Sequence, residues 1–120
     1  MEVAIKEIEN ITVVEIVGDV DGKSAPEAQK QILPLIVPGG RILLDMTGVP
    51  YMSSAGLRML LSAYRQATAS KGYLVLVGLA DEVRDTMSAT GFLSYFITHP
   101  TVETGLEELR NASGTIWNQS

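Results

Sequence analysis

Two short segments hold most of the residues able to do chemistry. One is Gly18-Asp19-Val20-Asp21-Gly22-Lys23-Ser24-Ala25, with two carboxylates and a hydroxyl set among glycines. The other runs from Asp45-Met46-Thr47-Gly48-Val49-Pro50 through Tyr51-Met52-Ser53-Ser54-Ala55-Gly56-Leu57, and places two adjacent serines just before an apolar helical stripe. A serine there has two readings. As an N-cap, its oxygen satisfies an orphan backbone N–H. As a phosphate acceptor, it sets a dianion against free N–H donors and the positive end of the helix dipole. That modification adds about −1.5 to −2 charges at pH 7 without challenging the fold. The first segment reads equally as a turn leading into a capped helix.

The usual catalytic constellations are missing. There is no cysteine and one histidine, His99, which removes thiol chemistry, a disulfide framework and a thiolate or histidine zinc site. No glycine-rich phosphate loop and no Gly-x-Ser-x-Gly elbow follows a strand. A Ser-His-acid triad would have to recruit His99, which stands beside Pro100 and reads as an exposed loop residue. A receiver-like phosphoacceptor needs a distant lysine, and the strand from Tyr73 ends in Gly78-Leu79-Ala80 instead. The expectation is a binding protein without metal or cofactor, not an enzyme.

The elements that must position these residues follow from periodicity. Val3–Ile8 and Ile11–Val17 read as strands joined by a Glu9-Asn10 hairpin turn. Ser24-Ala25-Pro26-Glu27 fits a capping box, with Glu27 reaching back to Ser24. Ala28, Ile32, Leu35 and Ile36 form the stripe of the helix that follows, and Pro34 kinks or ends it. Arg41–Asp45 is a nearly continuous apolar strand, as expected of one covered on both faces. A helix from about Ala55 to Ser70 carries Leu57, Leu60, Leu61 and Tyr64 on one side. Tyr73–Leu79 is a second buried strand, and Asp81 begins a third helix that Gly91 ends. Tyr95–Thr98 is a short last strand, followed by an amphipathic helix from about Thr101 with Val102, Leu106 and Leu109 inside. The order ββαβαβαβα predicts an α/β domain: a mostly parallel central sheet, an antiparallel N-terminal edge hairpin and four helices. Both chemistry-bearing segments are then loops at the C-terminal ends of strands, leading into helices, where open α/β sheets place their ligands.

The 120 residues, 46% hydrophobic and 19% charged, make one domain. We assign it residues 1–112, with a tail over 113–120. The net charge of −5 argues against nucleic-acid binding. No apolar run approaches the about 18 residues needed to cross a bilayer, and the acidic start MEVAIKEIEN is unlike a secretory signal. A cytoplasmic location away from membranes is expected.

These residues resemble the STAS domains of bacterial anti-sigma factor antagonists over roughly residues 3 to 110. The family's Gly-x-x-Asp-x-x-Ser/Thr-Ala loop matches Gly18 through Ala25, and its second motif matches Leu44 through Leu57. Lys71-Gly72 before an apolar strand and Thr90-Gly91-Phe92 after the third helix fit as well. The resemblance implies that Ser54, two residues before Gly56, is the phosphorylated position. Where the family commonly has aspartate, this chain has Ser53, which makes Ser53 a rival acceptor. It also implies a partner face around Asp21, Ser24, Met52, Ser53, Ser54, Ala55, Gly56 and Arg58. By residue type alone, Tyr51, Met52, Leu57 and Met59 read as core or half-buried, Leu57 as core, while the adaptability of methionine leaves Met52 or Met59 open to face a partner. The implied partners are an anti-sigma factor that is also an ATP-dependent serine kinase, and a metal-dependent serine phosphatase. ATP would belong to the kinase. A STAS interaction module in a phospho-signalling pathway without a sigma factor is the alternative.

Overall fold

The computed structural model describes residues 1–112; the tail assigned to 113–120 lies outside the described residues. Five strands form one sheet in the spatial order β1-β2-β3-β4-β5. They are β1 (Glu2–Ile8), β2 (Ile11–Val17), β3 (Arg41–Gly48), β4 (Tyr73–Val77) and β5 (Ile97–His99). Only β1 and β2 are antiparallel; the other neighbours are parallel. The hairpin turn is the expected pair, with Glu9 and Asn10 at φ of +52° and +65°. Two left-handed residues suit a two-residue turn whose twist matches the strands.

Among the described residues there are four α-helices: α1 (Ala25–Ile32), α2 (Ser54–Ala69), α3 (Asp81–Ala89) and α4 (Val102–Ala112). Helix α1 stops at Ile32, and Pro34 falls in a short 3₁₀ turn over Leu33–Leu35. That is the break expected where proline removes an N–H and crowds the preceding carbonyl. Because consecutive parallel strands step in one direction across the sheet, right-handed crossovers put α1, α2 and α3 on one face. There Val14, Ile16, Ile42, Leu44, Met46 and Leu76 pack against Ala28, Ile32, Leu57, Met59 and Leu60 in one apolar cluster. Fully burying each such aliphatic side chain contributes about 1.5–3 kcal/mol.

Among the described residues the other face carries α4 alone. Leu106 and Leu109 cover Ile11, Val13, Leu43, Val75 and Val77. Gly105 lets the helix approach closely, since a Cβ there would lie 2.5 Å from a Val77 methyl. The far end of α4 is tied to the hairpin: Arg41 donates to the carbonyls of Leu109 and Glu9, each at 3.3 Å, and Arg110 pairs with Glu9. His99 is not the exposed loop residue expected. It ends β5, is half-buried, and its Nε2 lies 2.9 Å from the Glu108 carboxylate on α4.

Candidate functional site

The loop between β2 and α1 and the loop between β3 and α2 leave the same end of the sheet from neighbouring strands. Backbone hydrogen bonds close them against each other. Gly18 N–H donates to Gly48 O at 2.8 Å, Val20 N–H to Tyr51 O at 3.0 Å, and Ser53 N–H to Val20 O at 2.9 Å. Val20 and Met52 form an isolated parallel bridge. The two motifs are therefore one surface, although the bridge partners stand 32 positions apart in the chain. Gly56 makes the approach possible: a Cβ there would stand 2.8 Å from the Val20 carbonyl oxygen.

Within the first loop, Asp21 is the organiser. Its Oδ1 accepts from Lys23 N at 3.0 Å, from Ser24 N at 3.1 Å and from Ser24 Oγ at 3.2 Å. The backbone N–H donors of Ser24 and Lys23 favour its charged form and hold the carboxyl below the usual range. Ser24 is not the capping-box residue expected. It precedes α1, but its backbone is already helical and its side chain makes no capping bond. Ser24 Oγ instead lies 2.9 Å from both Asp19 O and Asp21 N. Asp21 takes the capping role three residues earlier: its carboxylate accepts from the N–H groups of Lys23 and Ser24, and Ser24 Oγ accepts in return from Asp21 N–H.

The two serines of the second loop differ in kind. Ser53 is the N-cap of α2, in extended conformation, and its Oγ accepts from Ala55 N at 3.2 Å. It is half-buried. Ser54 is the first helical residue and is exposed. Among the described residues no hydrogen bond engages its hydroxyl. Arg58 stands one helical turn further on, the spacing at which side chains on a helix are neighbours, and is also exposed.

Met52 and Met59 correct an expectation. They are only 6% and 1% exposed and belong to the core. Met52 points inward because its bridge to Val20 orients it, and Met59 because it lies on the sheet-facing stripe of α2. Tyr51 takes the outward place instead, at 50% exposure. Gly56 is buried and acts through the close approach described above.

Beside the serines an open groove of about 750 Å³ runs between α1 and α2. Ala25, Pro26, Leu33 and Ala55 supply apolar walls, while Lys30 and Arg58 supply positive charge; no acid lines it. Pro26 and Lys30 stand at helical spacing on α1, with Leu33 in the 3₁₀ turn that follows, a spacing present in the sequence. Its pairing with Ala55 and Arg58 on α2 is tertiary. Among the described residues no group of three or more acids or histidines is placed to hold a metal, and no helix is long and apolar enough to cross a membrane.

Comparison with known proteins agrees with this geometry. The family model for the STAS domain matches residues 2–105. BtrV of Bordetella bronchiseptica is 31% identical over 97 residues, covering 80% of this chain and 84% of that one. The anti-sigma-B factor antagonist of Bacillus subtilis is 29% identical over 91 residues, covering 76% and 84%. Among solved structures, the anti-sigma factor antagonist SpoIIAA in its unphosphorylated form superposes with a TM-score of 0.76 at 18% identity, over 92% of this chain and 97% of its own. Its phosphorylated form, described as a Bacillus cell fate determinant, superposes with a TM-score of 0.70 at 18% identity, over 91% and 100%. The matched sequence, the sheet order and the paired loops lead to one assignment: the chain belongs to the STAS domain family.

Proposed function

We propose that this chain is an anti-sigma factor antagonist acting by partner switching, with Ser54 as its phosphorylated residue. Unmodified, it binds an anti-sigma factor that is also an ATP-dependent serine kinase, and a sigma factor is freed. The kinase then phosphorylates Ser54 and lets the product go, and a metal-dependent serine phosphatase resets it. ATP and metal belong to those partners. The chain performs no catalysis and binds no nucleic acid or membrane; its place of action is the bacterial cytoplasm.

The observation that carries this reading is the contrast between the serines: Ser54 presents an exposed hydroxyl at the first turn of α2, while Ser53 uses its oxygen to cap that helix. The relatives support it by name, two being an anti-sigma-B factor antagonist and an anti-sigma factor antagonist with a phosphorylated form. A kinase needs a hydroxyl it can reach, and a switch needs one whose modification leaves the fold standing. A phosphate on Ser54 meets the α2 N-terminus and Arg58, both favourable to negative charge. The same dianion on a docking face that also carries Asp21 makes association costly through desolvation and repulsion. A hundredfold loss of affinity requires only about 2.7 kcal/mol, so no refolding is needed.

The test is incubation with MgATP and a candidate anti-sigma kinase, followed by peptide mapping, with calorimetric titration of the variants. We expect a single phosphoryl group on Ser54. Ser54→Ala should bind as tightly as the unmodified chain, and Ser54→Asp about a hundredfold more weakly, about 2.7 kcal/mol. A phosphoryl group on Ser53, or equal affinity of the two Ser54 variants, would refute the reading.

A further inference from the structure

We infer that the outer edge of β1 is a self-complementary surface that pairs antiparallel with β1 of a second copy of this chain, extending the sheet through a two-fold axis at Ala4. Strand β1 is an edge with β2 on one side only. Five of its seven residues are exposed, Ile5 to 49%.

The hairpin determines which backbone groups are available. Ile8 and Ile11 flank the two-residue turn as partners, so they carry ladder hydrogen bonds, and every second pair back along the strands does too. Lys6, Ala4 and Glu2 thus bond to β2. Val3, Ile5 and Glu7 turn their N–H and C=O groups outward, a row of unmet donors and acceptors.

Side chains then select the register. A two-fold axis perpendicular to the sheet keeps each face continuous, which requires partners from the same face of the strand. With Ala4 on the axis, Glu2 meets Lys6 of the other copy, and Lys6 meets its Glu2. On the opposite face Val3 meets Ile5 and Ile5 meets Val3, covering the exposed isoleucine. The outward groups of Val3 and Ile5 become a hydrogen-bonded pair. Glu2 and Lys6 fall at a non-hydrogen-bonded pair, where side chains approach most closely. Sliding to an axis at Ile5 opposes Lys6 to Ala4, and an axis at Lys6 opposes Lys6 to Lys6. Only the Ala4 axis joins opposite charges on one face and apolar residues on the other. In the resulting pair the two Ser54 loops lie at opposite ends of the extended sheet, because the joined strands run antiparallel.

Sedimentation velocity of the full chain from micromolar to millimolar concentration tests this. Reversible dimerisation weakened by added salt is expected. Lys6→Glu opposes two carboxylates at each contact and should weaken the dimer about tenfold or more, as should Glu2→Lys. The double variant Glu2→Lys with Lys6→Glu should restore it. Ile5→Pro deletes an outward N–H at a position where an edge strand tolerates proline. It should be monomeric with an unchanged far-ultraviolet spectrum. A wild-type chain that stays monomeric throughout, or a dimer unaffected by the single charge reversals, would overturn the inference.

Discussion

The two loops at the serine end are built by opposite means. Residues 18–24 hold themselves, through the Asp21 carboxylate and the Ser24 hydroxyl. Residues 49–53 are held from outside, by the backbone of Val20 and by burial of Val49 and Met52. The difference bears on where a charge can be added. Phosphate on Ser24 or Ser53 would replace a hydroxyl already engaged in loop or cap structure. Phosphate on Ser54 displaces nothing. A switch placed there changes the surface while leaving the fit of the two loops intact.

The largest effect should come from forcing the loops apart. Gly56→Val places a branched side chain where even a Cβ would stand 2.8 Å from Val20 O. Overpacking of this kind costs about 1–3 kcal/mol. A thermal melt should show a clear fall. An unchanged melting temperature would mean that the loops are not locked through this glycine.

Next come the serines themselves. Ser53→Ala removes the α2 cap and should cost about 1 kcal/mol. Ser54→Ala should stay within about 0.5 kcal/mol of the parent. Urea unfolding of the pair separates them; equal midpoints would erase the distinction on which the modification site rests.

The smallest effect is a pH dependence in the first loop. The folded Asp21 carboxyl is held below its ordinary value of 3.8, first by the backbone donors of Ser24 and Lys23. A lowered folded value means that the native state favours the anion. Its contribution is therefore complete above the unfolded value and fades as pH falls through the folded one. Asp21→Asn should therefore destabilise most at neutral pH, where the parent has the whole contribution, and least in acid, so that the variant's stability profile is the flatter one below the ordinary value. Parallel acid profiles for parent and variant would show that the carboxylate does not organise the loop.

Much of this was legible from residue pattern. Strand β2 spans Ile11–Val17 as its β-branched run predicts, and the left-handed Glu9-Asn10 turn sits where the hairpin requires it. Local misreadings arose where two local signals competed. Ser24 and Glu27 carry capping-box spacing, yet Asp21 forms a reciprocal pair with Ser24 first: Ser24 Oγ accepts from Asp21 N–H while the Asp21 carboxylate accepts from Ser24 N–H. Met52 has the composition of an adaptable contact residue, but a single bridge to a distant strand end turns it inward.

The sequence by itself determined the alternation of strands and helices, hence a mostly parallel sheet with an antiparallel edge hairpin, because hydrophobic period and turn chemistry are local properties. It also singled out the serine pair and the acidic loop. Only the tertiary structure decided that these two segments share one surface, that Ser53 is spent as a cap while Ser54 is presented, and that a cationic groove lies beside them. Those outcomes depend on backbone bonds between strand ends far apart along the chain, and on a glycine whose missing side chain lets them meet.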